Sequence, residues 1–453
     1  MTAPATGSDN ARTPITTETI EACVRAAQDP QALVARNAVT RSGVDACATD
    51  RTKVVATPTV VSHKLDTWKV TSQKKSGRCW LFSSLNLLRD TARARLGIKD
   101  FEFSQNHAMF WDKFERANWF LTDIIATADQ PLDGRLLQFL LADVLGDGGQ
   151  WDMAVSVYLK HGVVPKQAMP ETACSGNTDD MNPILRTLLR RSALELRELA
   201  AAGAGAETLA AAKDDVLAKV WRILVICLGE PPTSIEWTWR DDEGEFHRGG
   251  TLTPTQFYDT YVGIDLTQYV CLVDDPRPEH PKGRALSVDN LGNVVGGRRI
   301  RYVNTDIDVI KRLAAATIVA GEPVWFGADV TPQSDRDSGL LVSGLYDHTG
   351  LFGLDLSTSK LQRVLTGESA MNHAMLFTGV DLDDAGSPRR WRVENSWGEE
   401  PGDKGFYTMD DQWFTDYVFE VVVHVDRLPE DLRPALSEEP IHLPAWDPMG
   451  TLA

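Results

Sequence analysis

Cys79 stands at the predicted start of an amphipathic helix, a position where a thiol can serve as a nucleophile. It follows a glycine-containing turn, and Leu81, Leu85 and Leu88 then recur at the spacing of one helical face. The positive end of the helix macrodipole and the unpaired N–H groups at this position favour the thiolate over the thiol. Taken alone, a cysteine in such a place is also typical of a buried structural thiol.

Three further polar residues would complete a nucleophilic site. Gln73 lies six residues upstream, across the glycine turn, where its side-chain amide and the backbone N–H of Cys79 could form an oxyanion hole. His373 begins an apolar strand-like run, and Asn395 follows the next one. If the two strands are antiparallel neighbours, the imidazole can act as base and the amide can orient it, with Trp397 shielding their hydrogen bond. Separately, His373 and Asn395 could be a core histidine and a turn asparagine.

The elements expected to position these residues form a helical front half and a β-rich back half. Helical periodicity dominates from residue 101 to about 228, with Ser104 as a predicted cap. After Pro231 the pattern changes to short strand-like runs, at 237–239, 324–326, 373–380, 391–394 and 418–425. This order predicts an α+β architecture.

Four regions follow from the same patterns. We expect an N-terminal tail and helical arm over 1–55, with a helix over 17–35, and a helical half with the nucleophile and a helical insertion over 56–230. A β-rich half that carries the histidine and the asparagine is expected over 231–430, and an extended C-terminal arm over 431–453. Residues 54–61 are rich in β-branched side chains and predict a strand.

Composition excludes several classes of protein. The chain has 453 residues, of which 43% are hydrophobic and 24% charged, as in ordinary globular proteins. Forty-six basic against sixty-four acidic residues give a net charge of −18, which disfavours nucleic acid as a partner. No run of eighteen uncharged apolar residues predicts a membrane span, and no secretory signal is recognisable at the N-terminus. We therefore expect a cytoplasmic protein.

Several further segments make the resemblance to one family specific. They are residues 147–153 (DGGQWDM), 271–277 (CLVDDPR), 321–327 (GEPVWFG), 391–398 (WRVENSWG) and 443–450 (LPAWDPMG). Together with the segments around Cys79 and His373, they resemble the bleomycin hydrolase and aminopeptidase C family of papain-like cysteine peptidases over nearly the whole chain. The resemblance implies a papain-like fold, a helical half plus a β-barrel half, with large helical insertions and an extended C-terminal arm. It also implies a homohexameric ring whose active sites face an inner chamber.

The same resemblance implies a role for each candidate residue. Cys79 would be the nucleophile, His373 the base and acid, Asn395 its orienter and Gln73 the oxyanion donor. Gly148, Gly149, Trp397 and Ala453 would bind substrate, Ala453 through a terminal carboxylate that meets the substrate's α-ammonium group. No metal ion and no organic cofactor is implied.

Two departures from the common papain pattern are informative. Ser76 stands where the secreted signature C-G-[SA]-C-[WY] has its first cysteine, which removes one thiol of a structural disulfide and suits a reducing compartment. Cys79 and His373 are 294 residues apart, roughly double the 130 to 150 of papain-like chains. About 150 inserted residues therefore lie between Cys79 and His373, and we expect them to build the ring.

The sequence thus predicts a cytoplasmic cysteine aminopeptidase that removes N-terminal residues from peptides and related amides through a thioester acyl-enzyme. Its substrates would be peptides with a free N-terminus. Two alternatives remain open at this point: an endopeptidase with an open cleft, and a non-catalytic binding or scaffolding ring. The complete set of four catalytic residue types argues against the second alternative.

Overall fold

The computed structural model describes residues 13–65 and 68–452. These residues divide into two compact units. One comprises the described part of Met1–Ala56 together with Gly344–Thr358, and the other comprises Thr57–Ser343 together with the described part of Ser359–Ala453. All candidate site residues that the structure describes belong to the second unit.

Helices account for most of the first half of the described chain. They are α1 (Thr17–Ala26), α2 (Pro30–Ser42), α3 (Val44–Ala48), α4 (Arg51–Ala56), α5 (Cys79–Leu96), α6 (Gln105–Ala126), α7 (Arg135–Ala142), α8 (Trp151–His161), α9 (Ala173–Gly176), α10 (Met181–Ala201), α11 (Ala206–Leu228), α12 (Pro254–Phe257), α13 (Ile307–Val319), α14 (His348–Phe352), α15 (Lys360–Thr366) and α16 (Asp411–Tyr417). Short 3-10 turns occur at Lys166–Ala168, Leu266–Gln268, Val425–Arg427, Glu430–Leu436 and Pro448–Gly450, and a π-helical turn at Tyr258–Val262. None of the helices in the described ranges is long and apolar enough to cross a membrane.

Strands dominate the second half. They are β1 (His63–Lys64), β2 (Ile235–Arg240), β3 (Phe246–Leu252), β4 (Tyr269–Val273), β5 (Ala285–Val288), β6 (Tyr302–Asn304), β7 (Val324–Ala328), β8 (Ser334–Asp335), β9 (Leu340–Leu341), β10 (His373–Leu382), β11 (Pro388–Glu394), β12 (Phe406–Asp410), β13 (Val418–His424) and β14 (Ile441–Leu443). A large sheet has the order β14-β5-β6-β4-β13-β7-β10-β11-β12-β9-β8, with β1 beside β10, and β2 pairs with β3 separately. The α+β prediction is confirmed.

The core of the sheet that carries the site is antiparallel. Strand β10 pairs with β7 on one side and with β11 on the other, and both pairings are antiparallel. Leu376 of β10 lies opposite Glu394 of β11, so the start of β10 and the residue after β11 meet at one edge. Helix α5 packs against β10, because its apolar face, which includes Leu81, Leu85 and Leu88, is buried.

Two local predictions differ from the structure. The helix expected over 17–35 is interrupted, because Asp29 caps a new helix whose first residue is Pro30. The strand expected over 54–61 is wrong, since its first residues continue α4 and the nearest strand is β1. The predicted cap is confirmed: Ser104 precedes α6 and accepts a hydrogen bond from the backbone N–H of His107.

Candidate active site

Cys79 is the first residue of α5, and its thiol is almost fully buried, with 1% of the residue exposed. The backbone N–H of Ala374 lies 3.4 Å from its Sγ atom. Ala374 follows His373 in β10, so the strand that carries the histidine passes directly beside the thiol. The backbone N–H of Cys79 lies in the first turn of α5, where N–H groups have no intrahelical acceptor.

His373 and Asn395 form the hydrogen bond that the sequence predicts. The imidazole Nε2 lies 2.8 Å from the amide Oδ1 of Asn395. Because an amide oxygen only accepts, Nε2 is the protonated nitrogen and Nδ1 of the neutral ring is an acceptor. Trp397 covers this pair, with its ring 4.8 Å from the imidazole centroid, and both His373 and Asn395 are buried.

Burial governs the charge of both reacting groups. It raises the pKa of the Cys79 thiol to about 11. It lowers the pKa of His373 to about 4, against the opposing effect of the Asn395 hydrogen bond. Burial therefore disfavours a lone charge on either group. The macrodipole of α5 alone, as used in the sequence argument, does not account for thiolate formation.

Ser396 holds both the side chain and the backbone of Gln73. The hydroxyl of Ser396 donates to Oε1 of Gln73 over 2.6 Å, and the backbone N–H of Gln73 donates to the carbonyl of Ser396 over 2.8 Å. The Nε2 group of Gln73 donates one hydrogen to the carbonyl of Ser76 at 2.5 Å, which leaves its second hydrogen for another acceptor. Since Ser396 follows Asn395, one segment orients both the histidine and the glutamine.

Two supporting residues escaped the sequence reasoning. Ser396 lies in the quoted segment 391–398 but was given no role there. Glu394 is fully buried, and its Oε1 accepts hydrogen bonds from Trp68 Nε1 at 3.1 Å and from Asn86 Nδ2 at 2.7 Å. Burial raises the pKa of Glu394 to about 7. The signal available in the sequence was an acidic residue at the end of a strand-like run, directly before Asn395.

Gly148 and Gly149 lie beside the nucleophile helix, on the wall of a cavity of about 520 Å³. A Cβ atom on Gly149 would lie 2.7 Å from the ring of Trp80, so only glycine fits there without a shift. The carbonyl of Gly148 accepts a hydrogen bond from Arg116 Nη2 at 2.6 Å. One backbone group of this segment is thus already occupied.

Asp147 joins this segment to the loop before Cys79. Its carboxylate accepts hydrogen bonds from Lys113 Nζ at 2.5 Å, Thr178 Oγ1 at 2.6 Å, Asn182 Nδ2 at 2.8 Å and the backbone N–H of Gly77 at 3.3 Å. Burial opposes its charge, but the Lys113 ammonium and these hydrogen bonds hold the pKa of Asp147 well below its usual range. Helices α6 and α10 therefore support the loop before Cys79 through Asp147.

The last described part of the C-terminal arm, residues 443–452, is anchored to the rest of the second unit. Arg277 grips both carboxylate oxygens of Asp447, at 2.7 and 2.8 Å. Trp446 stacks under the guanidinium of Arg135 at 4.0 Å, and Met449 is buried. Thr451 Oγ1 donates to the carbonyl of Met371, two residues before His373, at 3.2 Å. Ala453, the predicted ligand of the substrate ammonium, lies outside the described residues.

No group of three His, Cys, Asp or Glu side chains in residues 13–65 and 68–452 is arranged to hold a metal ion. The arrangement around Cys79 offers a thiol, an imidazole and hydrogen-bond donors. A buried thiol beside an oriented imidazole can attack a carbonyl carbon, and Gln73 can donate to the oxygen that becomes negative.

Comparisons with known proteins agree with this chemistry. The profile of the Peptidase C1-like family matches residues 14–450. Aminopeptidase C of Lactobacillus helveticus is 44% identical over 424 residues, which are 93% of this chain and 94% of that protein. Human bleomycin hydrolase is 43% identical over 435 residues, 94% of this chain and 95% of that protein. The crystal structure of PepW from Lactobacillus rhamnosis HN001 superposes with a TM-score of 0.96 at 43% identity, covering 97% of this chain and 99% of that one.

Proposed function

Because the chain belongs to the Peptidase C1-like family and is a papain-like cysteine aminopeptidase that acts on peptides, we propose that Cys79 is its nucleophile and His373 its base. Asn395 orients the imidazole, and Gln73 with the Cys79 backbone N–H stabilises the oxyanion. Two contacts carry this assignment. His373 Nε2 is hydrogen-bonded to Asn395 Oδ1 at 2.8 Å, and the backbone N–H of Ala374, the next residue in β10, lies 3.4 Å from Cys79 Sγ.

The reaction proceeds in two steps. His373 Nδ1 takes the proton of the Cys79 thiol, and Sγ attacks the carbonyl carbon of the substrate's first residue. The peptide C–N bond then breaks, the leaving amine takes the proton from His373, and the first residue remains as a thioester on Cys79. Water, deprotonated by His373, attacks the thioester, and the released thiol regains its proton. Gln73 donates to the same oxygen in both steps.

The arm supplies the selectivity for free N-termini. Thr451 and Leu452 lie beside the segment that leads to His373, and Leu452 is 4% exposed. In this proposal, a carboxylate on the following residue, Ala453, meets the substrate's α-ammonium group and closes the cleft to internal peptide bonds. Trp397, Gly148 and Gly149 complete the substrate-binding surface.

A homohexamer in the cytoplasm is part of the same proposal. Large apolar side chains are exposed on the insertion helices α10 and α11, with Ile184 at 55% and Ile226 at 73%, as at surfaces that associate. None of the six cysteines forms a disulfide, which suits a reducing compartment. A hexamer of the 50.0 kDa chain has a mass of about 300 kDa, and light scattering at about 50 kDa would contradict it.

Replacement of the nucleophile tests the catalytic assignment. Cys79→Ala should abolish hydrolysis of aminoacyl amides and leave the circular dichroism spectrum unchanged, because it deletes one sulfur atom. Cys271→Ala is the matched control, since Cys271 is buried to a similar degree but lies in β4. Gln73→Ala should lower kcat by about 10²-fold. Activity of Cys79→Ala within tenfold of the wild type would end the proposal.

A further inference from the structure

The cavity beside the active site is lined in part by the segment that leads into α10. Gly77, two residues before Cys79, lines it together with Gly148 and Gly149. Thr178, Asp179, Asn182 and residues 450–452 of the arm also line it. Because Gly77 is only two residues from Cys79, a substrate bound at Cys79 lies next to this cavity, which is therefore a candidate site for the side chain of its first residue.

The charge of the cavity is negative. Its lining includes the carboxylates of Asp123, Asp143, Asp147 and Asp179 and the guanidinium groups of Arg116 and Arg186. Asp147 is neutralised by Lys113, and Arg116 by Asp112. The carboxylates of Asp123, Asp143 and Asp179 and the guanidinium of Arg186 remain. The lining therefore has an excess of two negative charges.

A second feature of the wall is an unused acceptor. Asn182 is 8% exposed, and its Nδ2 group is bound to Asp147. Its Oδ1 atom has no hydrogen-bond partner within the part of the chain that the structure describes. An unsatisfied buried acceptor is costly, and a hydrogen-bond donor in the cavity relieves that cost. Asp179, three residues earlier, is exposed and forms no ion pair with any other described residue.

We propose that Asp179 and Asn182 recognise the side chain of the substrate's first residue and select lysine and arginine there. An ammonium or guanidinium group carries only donors, which match the Asp179 carboxylate and the Asn182 Oδ1 atom. A glutamate or aspartate side chain brings a further negative charge into a cavity that already has an excess. Arg186 opposes the selection, and its removal should strengthen it.

This inference rests on the proposed aminopeptidase function, and its test keeps the two apart. Coumarin amides of arginine, lysine, leucine and glutamate are compared by kcat/KM for the wild type and for Asp179→Asn. The wild type should hydrolyse the arginine and lysine amides at least about tenfold better than the glutamate amide. Asp179→Asn should lower the arginine-to-leucine ratio about threefold to tenfold, the range of an ion pair open to solvent or partly enclosed.

A matched control is the neighbouring acid. Asp180 is exposed, lies next in sequence and does not line the cavity, and it precedes the first residue of α10, where asparagine is an equally good cap. Asp180→Asn therefore removes the same charge and should leave the arginine-to-leucine ratio within twofold. Asp179→Lys should reverse the preference between arginine and glutamate amides, and Arg186→Gln should raise the arginine-to-leucine ratio.

Distinct outcomes separate the two proposals. Good hydrolysis of the leucine amide with no preference for arginine or lysine overturns the selection and leaves the aminopeptidase proposal intact. An equal loss of the ratio in Asp179→Asn and Asp180→Asn assigns the effect to net charge and also overturns it. Hydrolysis of none of the four amides by the wild type refutes the proposed function and the selection with it.

Discussion

The anchor of the C-terminal arm offers a sharp test of how aminopeptidase selectivity is built. Asp447 is 4% exposed and accepts two hydrogen bonds from Arg277, at 2.7 and 2.8 Å, and one from the backbone N–H of Met449 at 2.9 Å. Asp447→Asn keeps the shape of the side chain but replaces one carboxylate oxygen by an NH2 group, which then faces an N–H donor of Arg277. It therefore loses at least one charge-assisted hydrogen bond, worth about 1.5 to 3 kcal/mol.

That loss converts directly into opening of the arm. Since about 1.4 kcal/mol is tenfold in an equilibrium constant, the opened fraction should rise about 10- to 100-fold. Hydrogen exchange over residues 441–452 should quicken accordingly, cleavage of free aminoacyl amides should weaken, and N-acetylated peptides should begin to be cut internally. Glu439→Gln is the control, because this exposed acid removes the same charge beside the arm without touching Arg277.

Two results would refute the reasoning in different ways. Unchanged hydrogen exchange in Asp447→Asn would mean that the Arg277 fork does not hold the arm in place. Faster exchange with an intact preference for free N-termini would mean that the arm is anchored as described but does not produce the selectivity. In the second case, the Ala453 carboxylate has no role in recognition of the substrate ammonium.

Two further predictions concern packing and burial. Gly149→Ala should raise KM about tenfold or more, because its Cβ would lie 2.7 Å from the Trp80 ring, whereas Gly205→Ala has open space and should have no effect; an unchanged KM for Gly149→Ala would contradict the packing argument. Burial raises the pKa of Glu420 to about 8, so its contribution to stability is present below pH 4.5 and is lost as the pH rises through 8. Glu420→Gln should therefore be more stable than the wild type at pH 9, by about 3 to 5 kcal/mol in urea unfolding. The prediction is refuted if the difference in unfolding free energy between variant and wild type is the same at pH 5 and at pH 9.

The proximity of the proposed catalytic residues could be predicted because their chemistry leaves few alternative arrangements. Cys79, His373 and Asn395 stand at the ends of a helix and two strands, and ends of elements are where a sheet and a helix bring distant residues together. The strand pair β10–β11 was visible in the apolar runs, so the proximity of His373 and Asn395 followed from antiparallel pairing. The ionisation of the pair was harder to predict, because burial shifts both pKa values toward the neutral forms.

Residues that act through other residues could not be predicted in the same way. Lys113 and Asn182 meet Asp147 only because α6 and α10 pack beside the glycine segment, and no spacing in the sequence indicates that meeting. Local propensity also failed at residues 54–56, where a run with β-branched side chains continues α4. Tertiary contacts decide such cases, since propensities differ by only about 1 kcal/mol per residue.

The loop before Cys79 shows how noncovalent contacts can replace a covalent support. Ser76 stands where the secreted signature has a cysteine, and its hydroxyl donates to the carbonyl of Gln73 at 2.6 Å and accepts from Arg78 Nε at 2.9 Å. The Arg78 guanidinium, 1% exposed, then forms two parallel hydrogen bonds with Glu171, at 2.8 and 3.0 Å. A buried pair of this kind stabilises little in total, yet loss of one partner costs about 3 to 5 kcal/mol. The loop is thereby fixed by charge and hydrogen-bond geometry through a residue 93 positions later in the chain, and this support does not depend on a disulfide.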